Sequence, residues 1–245
     1  MPLRAIVTLC LFTLLAGCAG TAPVNKSADT YFKEGEDLYA SKQYEDAIAL
    51  YKKVKESYTS PELTAQAELK IADAQFDNGS FIEAASSYED FRKFHPKHAR
   101  APYALYRLAL CNFNQIEGID TDQTPVKNAV TLFETFLKEY PNHPLDTDVR
   151  KKLELSRMKQ LEYEIYVGRF YLRTEKYRAA IKRLEEALAS FPQAPLHDET
   201  LFYLGKAYML AGDKVKGREA FNRLLTEYGS SKYLDDARKF VEENY

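Results

Sequence analysis

From Asp29 onward, apolar residues recur every three to four positions with charged residues between them, and this holds almost to the end of the chain. This is the stripe of an amphipathic helix. The pattern also repeats. Aligned on the residue that opens the second helix of each unit, a small residue follows at +3 and a large apolar one at +7, often with Pro at +15. The first unit reads Tyr44, Ala47, Tyr51 and ends near Tyr58; the second reads Phe81, Ala84, Tyr88, Pro96. The third reads Val126, Ala129, Phe133, Pro141, and the fourth Tyr177, Ala180, Leu184, Pro192. The fifth is degenerate, with Lys214, Gly217, Phe221 and Gly229. Nine positions before each opening residue stands a small one: Gly35, Ala72, Gly168 and Gly205, with Ala109 the candidate for that role in the longer third unit.

Two antiparallel helices approach closely only where one offers a Gly or Ala hole to a large side chain of the other. A Pro after the second helix stops it, because it lacks the amide hydrogen and clashes with the preceding turn. Asn78-Gly79-Ser80 and Ala211-Gly212-Asp213 supply the hairpin turns. The spacing between units is 37, 45, 51 and 37 residues, which looks like the tetratricopeptide repeat with insertions or lengthened helices in the middle. The expected fold is therefore all-α, a superhelix of about five helix hairpins with a concave binding groove. The repeats fall near 29–60, 61–97, 98–142, 143–193 and 194–229, with a C-terminal helix over 230–245, all within one domain spanning 29–245.

The first residues obey a different rule. Met1 to Arg4 form a short positive segment, and Ala5 to Ala16 is an uncharged, mostly apolar run of 12 residues. A membrane span needs about 20 residues, so residues 1–17 read as a signal peptide. Leu15-Ala16-Gly17-Cys18 resembles a bacterial lipobox, in which the Cys is diacylated on sulfur and becomes the mature N-terminus. Two or three acyl chains, each buried methylene worth about 0.8 kcal/mol, hold a protein on a membrane. Residues 18–28 then form the lipidated Cys and a polar tether. Ala19 after the Cys, in place of Asp, implies by the lipoprotein sorting rule the outer membrane and its periplasmic face. Cys10 falls in the cleaved segment, so Cys111 has no disulfide partner.

Composition adds mostly exclusions. Net charge is −2 with both signs interspersed, so no basic stripe marks a nucleic-acid partner. The chain is 13% aromatic without any Trp, and its Tyr and Phe mostly fall at helical spacing as packing residues. His95-x-x-His98 brackets Pro96 in an interhelix loop, away from the i, i+4 geometry of a helical zinc site. His143 and His197 lie in equivalent loops. Glu117, Asp120 and Asp122 lack the alternating ligands of a calcium loop, and Asp122 or Thr124 instead caps the helix begun by Pro125. No glycine-rich phosphate loop and no GxSxG elbow occurs. No catalytic residue, metal or cofactor is expected.

Two stretches go beyond a generic repeat. One runs from Ala101-Pro-Tyr-Ala-Leu-Tyr-Arg107 through Asp120-Thr-Asp122-Gln123-Thr124 to Tyr140-Pro141. The other is Glu164-Ile-Tyr-Val-Gly168-Arg169-Phe170-Tyr171-Leu172, continued by Tyr177 to Glu185. With the lipobox and the repeats, they resemble the BamD (ComL) family of outer-membrane assembly lipoproteins over essentially the whole mature chain. The resemblance implies a scaffold of the β-barrel assembly machinery that docks on the POTRA domains of a BamA-type barrel, beside other assembly lipoproteins, and helps deliver unfolded outer-membrane clients. It places the POTRA contact in the last two units, near Arg169, Tyr171, Tyr177 and Arg183; the two tyrosines also occupy packing positions of the repeat. A client groove would be lined by Tyr31, Glu34, Leu38, Lys70 and Asp73. The alternative is a secretin pilot or another repeat lipoprotein of the envelope. Replacing Cys18 by Ser should abolish lipid labelling in growing cells and leave the precursor uncleaved; normal processing of Cys18→Ser would refute the anchor.

Overall fold

The computed structural model describes residues 26–191 and 196–244. The signal segment, Cys18, most of the tether and Pro192 lie outside the described residues. Eleven helices follow one another among those described, with no strand. They are α1 (Ala28–Ala40), α2 (Tyr44–Ser57), α3 (Pro61–Asp77), α4 (Phe81–Phe94), α5 (Ala101–Asn114) and α6 (Thr124–Glu139). They continue as α7 (Asp146–Arg173), α8 (Tyr177–Ser190), α9 (His197–Leu210), α10 (Lys214–Glu227) and α11 (Leu234–Glu243). Each of the first ten packs mainly on its neighbours in sequence, so the architecture is the expected all-α solenoid of hairpins. None of the described helices is long and apolar enough to cross a membrane.

The small-to-large pairing is what closes each hairpin. A Cβ added to Gly35 would lie 2.7 Å from the ring of Tyr51. At Gly168 it would meet Leu184 at 2.7 Å, and at Gly205 the ring of Phe221 at 2.7 Å. Ala109 is buried in one cluster with Phe133. The weakly matched fifth hairpin has the same geometry, tightened further: a Cβ on Gly217 would meet Met209 at 2.6 Å and the Gly205 carbonyl at 3.2 Å. Tyr51, Tyr88, Phe133, Leu184 and Phe221 are all buried.

Turn chemistry follows the sequence, with one unforeseen feature. Gly79 and Gly212 adopt the left-handed conformation, at φ 81° and 90°. The equivalent positions of the first and fourth hairpins, Lys42 (φ 60°) and Glu175 (φ 57°), do so without glycine, at a cost of about 1–2 kcal/mol each. At the sixth helix Asp122 accepts from both the amide and the hydroxyl of Thr124, at 2.9 and 2.8 Å. The histidine loops differ from expectation at one point. His197 is the first residue of α9 and is buried, sharing a depression with residues of α8 and α10.

The two long spacings have different causes. The third hairpin has a lengthened turn over 115–123, whereas the fourth has a first helix of 28 residues. The N-terminal half of α7 packs through Val149 and Leu153 on Phe133 and Phe136, and its C-terminal half through Leu161 and Ile165 on Ala187 of α8. It therefore splints two hairpins. At the far end α11 covers the last apolar surface: Tyr233 stacks on Phe202 at 5.0 Å, and Phe240 lies 6.1 Å from Phe221.

Overpacking a filled core costs about 1–3 kcal/mol, against a helix-propensity gain of up to about 1 kcal/mol for Gly to Ala. Gly205→Ala should therefore lower stability by about 1–2 kcal/mol by denaturant titration, because the buried Phe221 ring cannot swing away. Gly229→Ala, where nothing lies within 4 Å of the added carbon, should stay within about 0.5 kcal/mol of the parent. Equal effects at both sites would remove the packing argument.

Candidate partner-binding surfaces

The first helices of the hairpins carry a polar network built on the repeat. The Tyr51 hydroxyl donates to Glu36, and the Tyr88 hydroxyl to Asp73, each at 2.5 Å and each across 15 residues. In both cases the acid sits immediately after the small residue, Gly35 or Ala72, that receives the tyrosine ring. The network extends sideways between hairpins. Lys70 donates to Glu36 at 2.7 Å, and Tyr39 donates to Asp77. Arg107 donates to Asp77 and to the Tyr88 oxygen, both at 3.0 Å, while Tyr103 donates to Asp73 at 2.8 Å. The Arg107 guanidinium also lies over Phe76 at 3.8 Å. Further along, Tyr106 donates to Asp148.

The same position changes sign in the last two hairpins. Where the large side chain is Leu184 or Phe221 and has no hydroxyl, the residue after the glycine is Arg169 or Lys206 instead of an acid. Arg169 pairs with Glu199 at 3.5 Å and lies over Tyr203 at 5.1 Å. Lys206 sits over Phe202 and Phe240, at 5.3 and 4.8 Å. One side of the solenoid thus passes from internally neutralised acids to cations held over aromatic rings.

A second feature lies between the start of α6 and the helices α7 and α8. A cleft of about 370 Å³ is lined by Gln123, Lys127, Gln160, Glu164 and Arg183, with Phe191 at one end. Arg183 lies 3.0 Å from Glu164 Oε2. The contact is an ion pair by distance only, and that buried oxygen makes no hydrogen bond. Here the two distinctive segments of the sequence meet, Asp120–Thr124 through Gln123 and Glu164–Leu172 through Glu164.

The residues singled out from sequence do not form one patch. Arg183 lines the cleft, and Arg169 faces α9. Tyr171 lies against Phe170, and Tyr177 borders a depression with Leu210 at the hairpin turns. Of the groove candidates, Lys70 and Asp73 join the network, but Asp73 is buried beneath Tyr88 and Tyr103, which both donate to its Oδ1, rather than lining an open groove. Tyr31 and Leu38 pack against the core of the first hairpin, and Glu34 pairs with Lys26. Glu36, Tyr39, Asp77, Tyr103 and Arg107 are network members that the groove reading omitted. The acid eight positions before the helix opening, paired with tyrosine at +7, is the signal that marks two hubs of the network. His95 and His98 each meet a single carboxylate, Glu68 and Glu62. No three His, Cys, Asp or Glu side chains gather as a metal site among the described residues.

Residues 24–220 match the YfiO family, described as an outer membrane lipoprotein. The chain belongs to that family. An outer membrane protein assembly factor BamD from Rickettsia prowazekii is 28% identical, over 95% of this chain and 93% of its own length. The factor of the same name from Caulobacter vibrioides is 23% identical over 99% of this chain and 82% of its own length. That from Neisseria meningitidis serogroup A is 24% identical over 96% and 94%. Among solved structures, MamA aligns over 81% of this chain and 90% of its own, with 19% identity and a TM-score of 0.41. The TPR2AB domain of yeast Sti1 aligns over 89% and 97%, with 17% identity and a TM-score of 0.43.

Burial, and then the accepting carboxylates, push the hydroxyls of Tyr39 and Tyr51 well above their ordinary value of 10.0; burial and the nearby Asp73 do the same for Tyr88 and Tyr103. Burial also pushes the Cys111 thiol from 9.0 up to about 12. The fold favours the neutral form of all five groups. Their contribution is complete below the unfolded-state values and is lost as pH rises through them toward the folded ones. The urea midpoint should hold from pH 7 to about 9 and fall steadily above that, less steeply in Tyr88→Phe. A midpoint unchanged to pH 11 would contradict this.

Proposed function

We propose that this chain is a lipid-anchored scaffold of the β-barrel assembly machinery on the periplasmic face of the outer membrane, docking through its last two hairpins on POTRA domains of a BamA-type barrel. The observation that carries the reading is the cleft at Arg183, where the fourth hairpin meets the start of α6 in the third. The two segments that distinguish this sequence from a generic repeat converge there, where a buried Glu164 oxygen makes an ion pair with Arg183 but no hydrogen bond, and the Arg183 side chain is 38% exposed. A partner side chain that enters can supply the missing donor and share the arginine. Relatives that match nearly end to end are assembly factors, and the cation-bearing side of α7 and α9 gives a second contact for an acidic partner. Other assembly lipoproteins and unfolded clients complete the set of partners. A client segment on the N-terminal hairpins would meet Tyr39 and Lys70, since Asp73 is sealed beneath Tyr88 and Tyr103. The assignment is to a scaffold without catalysis or cofactor.

Removing one partner of an interfacial charge pair costs about 2–5 kcal/mol, at roughly tenfold in affinity per 1.4 kcal/mol. Membranes solubilised in mild detergent and purified through a tag on this protein should yield a POTRA-bearing barrel protein. Arg183→Glu should reduce that recovery at least about tenfold while helicity is retained. Recovery of a secretin without the barrel protein would replace the assembly reading with that of a pilot.

A further inference from the structure

The solenoid has two edges. One holds the hairpin turns. On the other the even-numbered helices end, the odd-numbered helices begin, and the chain enters α1 at its cap Ser27. This second edge has an uneven surface. Between α4 and α5 it reads Lys93-Phe94-His95-Pro96-Lys97-His98-Ala99-Arg100, without an acidic residue. Phe94 is 65% exposed, with the Lys93 ammonium 5.6 Å from its ring centre. The two histidines turn inward and engage the nearest acids, His95 with Glu68 at 2.7 Å and His98 with Glu62 at 3.5 Å. Lys97 is exposed and makes no ion pair among the described residues. One hairpin nearer the N-terminus, Tyr58 caps α2 in the left-handed conformation and is 84% exposed. Two of the most exposed aromatic side chains and an unneutralised basic loop therefore share the edge from which the tether leaves.

Tether length decides what can lie opposite. Eight residues separate Cys18 from Ser27, and the nine Cα-to-Cα steps, fully extended, span about 30 Å. A chain held by lipid at Cys18 keeps Ser27, where this edge begins, within that reach of the bilayer, so that a surface of weak intrinsic affinity is presented at high effective concentration. Aromatic rings favour the headgroup layer, and basic side chains favour anionic lipid.

We propose that this edge rests on the membrane that holds the anchor, with Tyr58 and Phe94 in the headgroup layer and Lys93, Lys97 and Arg100 against anionic phospholipid phosphates. The inference depends on the lipidation of Cys18, and its test separates the two. The chain has no Trp, so Phe94→Trp places a single fluorophore on this edge, while Ile82→Trp, at a residue 72% exposed, places one on the hairpin-turn edge. The lipidated full-length variants are reconstituted in vesicles of phosphatidylcholine and brominated phosphatidylglycerol. Quenching at position 94 should exceed that at position 82 by about threefold or more, and should fall to the position-82 level when Lys93, Lys97 and Arg100 are changed to Ser. If the protein does not float with the vesicles, the anchor fails and the inference with it. If it floats and both positions are quenched alike, the anchor stands and the edge contact is refuted. A photo-crosslinker at position 97 that captures a discrete protein in cells, with no quenching in vesicles, would assign the edge to a protein instead.

Discussion

Everything in this solenoid depends on one contact, a large side chain of each second helix seated against bare or nearly bare backbone of the first. Gly35 under Tyr51, Gly168 under Leu184 and Gly205 under Phe221 leave no room for a single added carbon. The same close approach closes hairpins of very different composition. The fifth hairpin shows how far the rest can drift. With Lys214 where an aromatic opens the helix and Gly217 where alanine usually stands, it closes at least as tightly, because Gly217 sits on Met209 and on the carbonyl of Gly205.

That contact also organises the polar chemistry. A tyrosine seated over the glycine or alanine carries its hydroxyl past the partner backbone to the next residue, and Glu36 and Asp73 stand there as acceptors. Where the seated side chain has no hydroxyl, no acid follows the small residue: Leu110 stands there in the third hairpin, and Arg169 and Lys206 in the last two, the long stems of the cations reaching over neighbouring rings. A packing rule thus yields two different inner surfaces, one internally satisfied over the N-terminal hairpins and one cationic over the last two.

The extra length of α7 has a mechanical consequence. Its two halves belong to different cores, so one continuous helix splints the third and fourth hairpins, and the cleft at Arg183 lies beside it. As the docking site proposed above, a cleft beside a splinted junction would lose little entropy on binding, which is how preorganised sites gain affinity.

Much of this was legible in the sequence, because helix period, small-residue holes and proline stops are local and repeat. Four of the five hairpin openings, the glycine turns at Gly79 and Gly212 and the family itself could be read from spacing and motif alone, whereas the third opening lies at Thr124, two residues before Val126. The sites were less legible, because they arise between hairpins. Leu38 and Tyr31 look like groove residues by helical phase, but face a neighbour whose angle the spacing does not give. Asp73 reads as a surface acid until Tyr88 and Tyr103 close over it from two other helices. Gln123, Glu164 and Arg183 lie on three separate segments, and only the path of α7 brings them to one cleft. Period and composition determined the elements and their mode of pairing; the rotation of each hairpin on the next, a sum of many side-chain contacts distant in sequence, decided which residues meet.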